Sequence, residues 1–202
     1  MHAFQVSLRN GKWLRIRPVE PGDEAVLAVL MGPRQRAIRI AAGMRQHVPA
    51  RLPREPASGR ANHTAWVAVA INEPGQPIVG AARFVRLPAD EATADATVAV
   101  TSRFRGQGLG RLLLETLMLV ALETGVARLV ARVQPENAAG GRLFRSLGAR
   151  ATRAADGSLD YDLPVGWGER TLASSSGFRA PRPEHLRPPA RSGESASRDP
   201  GT

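Results

Sequence analysis

The stretch Arg105-Gly106-Gln107-Gly108-Leu109-Gly110 combines a cation with three alternating glycines, and Arg111 follows it. Glycine lacks a Cβ, so the backbone can turn sharply and its N–H groups can approach a ligand closely. An apolar-periodic run begins directly afterwards, which predicts a helix whose first N–H groups have no acceptor within it. Because the helix dipole also places positive charge at that end, the pattern predicts an anion site, most naturally for a pyrophosphate.

Two common phosphate-binding motifs do not fit this stretch. The P-loop requires GxxxxGK followed by Ser or Thr, but Lys12 is the only lysine of the chain. The dinucleotide fingerprint requires GxGxxG, whereas Gly106, Gly108 and Gly110 alternate and Arg111 follows them. A tight turn before a capped helix, without a ligand, is the remaining alternative.

The pattern RxxGxG between a strand and a helix resembles motif A of the Gcn5-related N-acetyltransferases (GNAT). Members of that superfamily bind the pyrophosphate of acetyl-coenzyme A (acetyl-CoA) at this motif. The resemblance therefore implies a cofactor site formed by Arg105, Gly106, Gln107, Gly108, Leu109, Gly110 and Arg111.

A second stretch, beginning Pro135-Glu136-Asn137, resembles motif B of the same superfamily, PENxxAxxLYxxxGF. The resemblance places Asn137 and Phe144 near the coenzyme, while a helix N-cap is the alternative role for Asn137. Phe144 stands where many members have a tyrosine that protonates the leaving thiolate, and Ala149 replaces a phenylalanine. Since Tyr161 is the only tyrosine, we expect solvent to protonate the thiolate.

The strand before motif A supplies the expected chemistry of acyl transfer. By resemblance the sheet splays there, so that backbone groups of Val98, Ala99 and Val100 contact the cofactor and stabilise an oxyanion. Asp95 lies ten residues before Arg105, where many protein-lysine acetyltransferases of the superfamily have a glutamate general base.

The alternation of a strand complicates the role of Asp95. Its side chain should share a face with Ala99, opposite Val98 and Val100. A bulge near Val98 would change that relation and aim the carboxylate at the cleft. A solvent-facing strand residue is the alternative.

Composition sets limits on the chemistry. A chain of 202 residues with 43% hydrophobic and 23% charged residues can bury one core. It has no cysteine, which excludes disulfides, thiolate metal sites and an acyl-cysteine, so transfer should be direct. No metal site is predicted, since ligand-like spacing is missing from the four histidines, His2, His47, His63 and His185.

The net charge of +10 comes almost wholly from arginine. Aromatic residues make up only 4%, and no nucleic-acid motif is present, which argues against nucleic acid and favours attraction of coenzyme phosphates. The N-terminus has no signal-like apolar region, and the longest apolar run, Leu117 to Leu122, is too short for a membrane span. We therefore expect a cytoplasmic protein, either a monomer or a homodimer.

Periodicity predicts the elements before the glycine stretch. They are a first strand Trp13 to Val19, an N-cap at Asp23, a helix Glu24 to Met31, a second helix around Ile38 to Met44, a hairpin of His63 to Asn72 with Pro77 to Leu87, a bulge or close packing at Gly80, and an acidic connection from Pro88 to Thr93.

The elements after that stretch follow in the same way. They are a helix from Gly110 to about Thr124 capped by Gly125, a strand Ala127 to Val133, a helix from Asn137 to Gly148, and a hairpin of Ala151 to Arg153 with Leu159 to Leu163. The resemblance implies an α/β (α+β) GNAT fold, a mixed, mostly antiparallel sheet of six to seven strands, splayed in the middle and flanked by about four helices. Residues 1–165 should form this domain, and 166–202, rich in Pro, Ser, Gly and Arg, should be a disordered tail.

The sequence leaves two functions open. The first is transfer of an acetyl group from acetyl-CoA to a primary amine, a protein lysine or a small molecule; the stretch RFVRLPADEATADATVAV before RGQGLG is similar to bacterial protein lysine acetyltransferase domains. The second is a catalytically weak acyl-CoA-binding module with a regulatory or sensor role.

Overall fold

The computed structural model describes residues 2–32 and 62–166 of the chain. In chain order these residues form β1 (Phe4–Ser7), β2 (Trp13–Pro18), α1 (Glu24–Leu30), β3 (His63–Ala70), β4 (Ile78–Leu87), β5 (Asp90–Val100), a 3₁₀ turn (Ser102–Phe104), α2 (Leu109–Glu123), β6 (Arg128–Val133), α3 (Ala138–Ser146), β7 (Arg150–Arg153) and β8 (Leu159–Pro164).

The described strands form one sheet in the order β1-β2-β3-β4-β5-β6-β8-β7. Every neighbouring pair is antiparallel except β5 and β6, which are parallel and joined through α2. The mixed, mostly antiparallel sheet is therefore confirmed, with eight strands instead of six to seven. The predicted helix around Ile38 to Met44 and the predicted tail beyond Gly166 lie outside the described residues.

The sheet separates two apolar clusters of unequal size. On one face α2 packs Leu109, Leu113 and Leu117 into the main core, which α3 also covers through Phe144. These leucines are four residues apart, the spacing that keeps side chains on one helix face. On the other face α1 covers a smaller cluster. Within the two described ranges, no helix is long and apolar enough to cross a membrane.

The start of β5 differs from the predicted acidic connection. That connection was expected to run from Pro88 to Thr93, but β5 already begins at Asp90. The carboxylate of Asp90 accepts hydrogen bonds from the Thr93 hydroxyl at 2.6 Å and the Ala92 N–H at 3.0 Å, which closes a local bulge. A side chain that binds its own backbone in this way tolerates a strand irregularity, so the acidic residues belong to the strand.

Gly80 shows both features predicted for it. The register of β3 with β4 shifts beside it, since Ala68 pairs with Gly80 and Val69 pairs with Ile78. A Cβ on Gly80 would lie 2.9 Å from Leu113 Cδ1 of α2. The absence of a side chain lets α2 pack closely on β4.

Asp23 is the N-cap residue of α1, as predicted, but its side chain makes no capping hydrogen bond. Its carboxylate instead accepts from Arg17 of β2 at 2.6 and 3.1 Å and from the Glu20 N–H at 2.9 Å. The hydrogen bond from Arg17 holds the pKa of Asp23 below its usual value. This ion pair fixes the start of α1 against β2.

Candidate active site

The predicted anion site lies where β5 ends and α2 begins. Thr101 closes the end of β5, since its N–H and its Oγ1 donate to the Val79 carbonyl oxygen at 2.9 and 3.1 Å. The 3₁₀ turn follows, and Phe104 anchors it in the core with 1% exposure. The loop 105–108 therefore starts from a fixed point at the edge of the main core.

Two glycines shape this loop. Gly106 and Gly108 have φ angles of +73° and +87°, in the left-handed region that favours glycine. Gly108 is the N-cap of α2, and the Leu112 N–H donates to the Gly108 carbonyl at 3.1 Å. The helical N–H groups that precede Leu112 have no acceptor within α2. A Cβ built on Gly106 or Gly108 would meet no atom within 4 Å, so there is open space beside both residues.

The two predicted phosphate-binding arginines each have a polar partner. Arg105 Nε donates to the Val100 carbonyl oxygen at 3.0 Å, which folds the guanidinium back over the end of β5. Arg111 Nε donates to Glu115 Oε1 at 2.8 Å, and its Nη1 lies 3.4 Å from the Ser146 oxygens at the end of α3. A guanidinium carries five N–H donors, so both arginines keep donors that could bind an anion.

The backbone of β5 has an open edge beyond Asp95. Pairing with β6 stops at Asp95, whereas pairing with β4 continues to Val100. Backbone groups of an antiparallel strand point alternately to its two sides, and the Thr101 N–H points to β4. The polar backbone groups of Val98 and Val100 therefore point to the other side, where β6 has diverged. The splay expected in the middle of the sheet is confirmed.

Ala99 differs from the two valines beside it. Its backbone is directed to β4, where it pairs with Ala81, and its side chain packs beside the α1 cluster. The side chains of Val98 and Val100 pack against the main core under α2. The open edge thus exposes the backbone of both valines but not that of Ala99.

Asp95 lies on the α1 face of the sheet. It is half-buried and pairs with Val85 of β4 and Val130 of β6. The register of β5 with β4 runs without a shift from 94 to 100, so no bulge near Val98 turns the carboxylate to the other face. The register shifts of β4 fall near its two ends instead. The carboxylate of Asp95 therefore lies on the α1 side of the sheet.

His63 is a titratable residue of this face that the sequence prediction missed. It stands opposite Val85, which in turn stands opposite Asp95, so the three share one row. With strands about 4.8 Å apart, the backbones of His63 and Asp95 are about 10 Å apart. His63 Nδ1 is buried and has no hydrogen-bond partner among the described residues. Burial together with the charge of Arg83 lowers the pKa of His63. Strand alternation predicts the face of the sheet on which His63 lies. Only the register of β3, β4 and β5 shows that it shares a row with Asp95.

The start of α3 lies beside the loop. A Cβ built on Gly110 would lie 3.5 Å from Leu143 of α3 and 3.8 Å from Val100 of β5. The Asn137 side chain accepts a hydrogen bond from the Gly140 N–H at 3.0 Å, so the N-cap is confirmed. Contact between Asn137 and a cofactor stays a prediction.

Phe144 is buried in α3 and stacks on Tyr161. Their ring centroids are 5.4 Å apart, with an angle of 26° between the planes. The Tyr161 hydroxyl is buried, has no hydrogen-bond partner within residues 2–32 and 62–166, and would lie 2.8 Å from a Cβ on Gly141. The only tyrosine hydroxyl of the chain therefore lies against α3, next to Phe144, whose ring has no hydroxyl.

Comparison with protein families agrees with this geometry. Residues 35–149 match the acetyltransferase (GNAT) family. The chain is also 32% identical over 166 residues to the acetyltransferase Pat of Mycolicibacterium smegmatis, with 79% of this chain and 48% of the relative covered. The chain thus spans about half the length of this curated relative.

Solved structures share the fold. A cAMP-binding acyltransferase from Mycobacterium smegmatis is 26% identical with a TM-score of 0.57, over 81% of this chain and 47% of that one. The GNAT domain of S. lividans PAT is 23% identical with a TM-score of 0.59, over 80% and 96%. The Salmonella typhimurium protein yncA, solved with its cofactor acetyl-CoA, is 23% identical with a TM-score of 0.51, over 77% and 95%.

Proposed function

Because the chain belongs to the acetyltransferase (GNAT) family, we propose that it transfers the acetyl group of acetyl-CoA directly to a primary amine, a small molecule or a protein lysine. The observation that carries this proposal is the position of the open backbone edge at Val98, beside the N-terminus of α2. A pantetheine arm can pair with such an edge as an added strand, while the pyrophosphate binds the N–H groups of the loop.

The position of Asp95 sets the direction from which the acceptor arrives. Asp95 lies on the α1 face of the sheet, opposite the main core under α2. An acceptor arriving on this face would meet the thioester across β5. Donor and acceptor would thus approach the gap between β5 and β6 from opposite faces.

The chemistry starts from a protonated acceptor, because a lysine-type ammonium has a pKa near 10.4 and no free electron pair. We assign the removal of one proton to Asp95, directly or through a water. The nitrogen then forms a bond to the thioester carbon, and the carbonyl π electrons move to oxygen, where the Val98 N–H can stabilise the oxyanion. Collapse breaks the C–S bond, and the second nitrogen proton passes to solvent as solvent protonates the thiolate.

A thiol-release assay with acetyl-CoA over a panel of amines and lysine-containing proteins tests this proposal. Asp95→Asn should lower turnover by about 10²- to 10⁴-fold, the usual contribution of a general base, and leave acetyl-CoA affinity unchanged. Asp162→Asn is the matched control, since Asp162 lies in the same row two strands away and is paired with Arg128. It should retain the turnover of the wild type.

The outcomes separate the two functions left open by the sequence. Release of thiol that depends on both an amine and Asp95 supports the enzyme. Binding of acetyl-CoA without transfer to any acceptor would contradict it and favour the sensor module. Full turnover of Asp95→Asn would retain the enzyme but assign the base to another group.

A further inference from the structure

The turn between β1 and β2 lies against the glycine loop. The turn is closed by hydrogen bonds between Leu8 and Lys12 and from Gly11 to Leu8, at 2.8 and 2.9 Å. Asn10 Oδ1 accepts from the Lys12 N–H at 3.1 Å, and Asn10 Nδ2 donates to Gln107 Oε1 at 2.5 Å. A single asparagine side chain therefore joins this turn to a residue of the loop.

Gln107 is held at both ends of its amide. Its Oε1 accepts from Asn10, and its Nε2 donates to the Arg103 carbonyl at 2.8 Å. Gln107 lies between Gly106 and Gly108, and a free glycine backbone would sample many conformations. A side chain bound at both ends restricts the loop to one of them.

Lys12, the only lysine of the chain, contacts Phe104 in the 3₁₀ turn that precedes the loop. Its Nζ lies 4.6 Å from the centroid of the Phe104 ring and 2.9 Å from Glu73 Oε1. Phe104 is the buried anchor of the 3₁₀ turn. An ammonium over an aromatic face is attracted by the ring quadrupole, and partial burial strengthens that attraction.

Glu73 adds a third segment, the turn between β3 and β4. Its second carboxylate oxygen accepts from Arg103 Nη1 at 3.3 Å, and the hydrogen bond from Lys12 lowers the pKa of Glu73. The Glu73 side chain is only 20% exposed. One carboxylate thus joins the lysine of the first turn to the 3₁₀ turn that leads into the loop.

We propose that Asn10, Lys12 and Glu73 are positioning residues that hold the loop 105–108 in its anion-binding conformation. The inference rests on the proposed function, because the anion is taken to be the pyrophosphate of acetyl-CoA. An anion site works best when its N–H groups are aimed in advance, so that binding does not also have to order the loop. None of the three residues needs to touch the cofactor.

The three variants change the local charge in different directions, which separates positioning from simple electrostatics. Lys12→Met removes a positive charge, Glu73→Gln removes a negative charge, and Asn10→Ala changes none. If the residues position the loop, all three variants weaken acetyl-CoA binding, by about three- to tenfold each. If charge alone acts, Glu73→Gln binds more tightly and Asn10→Ala binds like the wild type.

The experiment is calorimetric titration of acetyl-CoA, combined with steady-state kinetics and amide hydrogen exchange of residues 105–110. We expect a higher Kd and KM for acetyl-CoA, an unchanged kcat at saturation, and faster exchange of these amides in the free protein. Lys12→Arg keeps the cation and should bind like the wild type. Asp162→Asn, which breaks an ion pair outside this network, is the matched control and should also bind like the wild type.

Two results would overturn the inference in distinguishable ways. If the wild type binds acetyl-CoA and the three variants bind it equally well, the network does not position the loop, whatever their thermal stability. The charge-only pattern leads to the same conclusion. If the wild type itself does not bind acetyl-CoA, the proposed function fails and the positioning role fails with it.

Discussion

Tyr161 carries a buried hydroxyl that has no hydrogen-bond partner in the part of the chain that the structure describes. Tyr161→Phe keeps a ring against Phe144 and removes the unsatisfied polar atom. We expect this change to raise the free energy of unfolding by about 1 kcal/mol, since a buried polar group without a partner costs about 1–3 kcal/mol. Denaturant titration measures the gain, and turnover should equal that of the wild type.

Tyr161→Leu provides the comparison, because it removes the stacked ring as well as the hydroxyl. It should destabilise the protein through lost packing. A fall in turnover of Tyr161→Phe at constant acetyl-CoA affinity would contradict the expectation and identify this hydroxyl as the proton donor to the thiolate.

Two residues that precede predicted helices show how far a local sequence pattern predicts the role of a side chain. Asn137 and Asp23 each precede a predicted helix, and both were expected to cap it. The side chain of Asn137 does so, whereas that of Asp23 binds Arg17 of β2 instead. A cap depends on the next few residues, but an ion pair between β2 and the start of α1 depends on how the chain folds back. The face of Asp95 was likewise predictable from alternation, while its row with His63 required the register of three strands.

Gly80 controls how closely α2 packs on β4. A Cβ at this position would lie 2.9 Å from Leu113 Cδ1, 3.2 Å from Leu109 Cδ2 and 3.3 Å from the Ala99 carbonyl oxygen. We expect Gly80→Ala to lower the free energy of unfolding by about 1–3 kcal/mol, the usual cost of overpacking a core. Thermal or denaturant unfolding provides the measurement.

Gly110→Ala is the matched control for this packing effect. Its Cβ would meet the nearest atom, Leu143 Cδ2, at an ordinary 3.5 Å, and alanine is the better helix former. Stability should therefore stay equal or rise. Equal stability of Gly80→Ala and the wild type would show that α2 can shift without cost, contrary to the close packing described.

Clear periodicity accounts for the longer elements that the sequence predicted. The alternation of β3 and β4 and the helical spacing of α2 and α3 each extend over eight or more residues. β1 has only four residues and was not predicted, because its pairing with β2 stabilises it more than its own pattern does. The start of β5 was taken for a loop because acidic residues are rare in strands, yet the side chain of Asp90 binds inside the bulge.

At the scale of the whole domain, the sheet acts as a partition. The glycine loop and α2 lie at one end of the main core, whereas Asp95 and His63 lie on the face of α1. The gap between β5 and β6 connects the two faces of the sheet. A sequence could indicate each of these residues, but only the strand order shows that the two faces meet at this gap.

The net charge of +10 overstates the number of cations that could attract an anionic ligand. Several of the described cations are already paired with carboxylates, among them Lys12, Arg17, Arg111, Arg128 and Arg132. The exposed pairs among them, such as Arg128 with Asp162, contribute little to stability. Attraction of the coenzyme phosphates should therefore depend on the arginines next to the loop more than on the net charge.

The most direct test of the proposed pyrophosphate site compares two glycines with the same backbone conformation. Gly108 and Gly148 both have a φ of +87°, and a Cβ on either would meet no atom within 4 Å, so alanine imposes a similar strain at both. Only Gly108 lies in the proposed pyrophosphate site. In calorimetric titration with acetyl-CoA we expect Gly108→Ala to bind at least about tenfold more weakly than the wild type, and Gly148→Ala to bind equally well. Equal affinity of Gly108→Ala and the wild type would place the cofactor elsewhere and contradict the proposed pyrophosphate site.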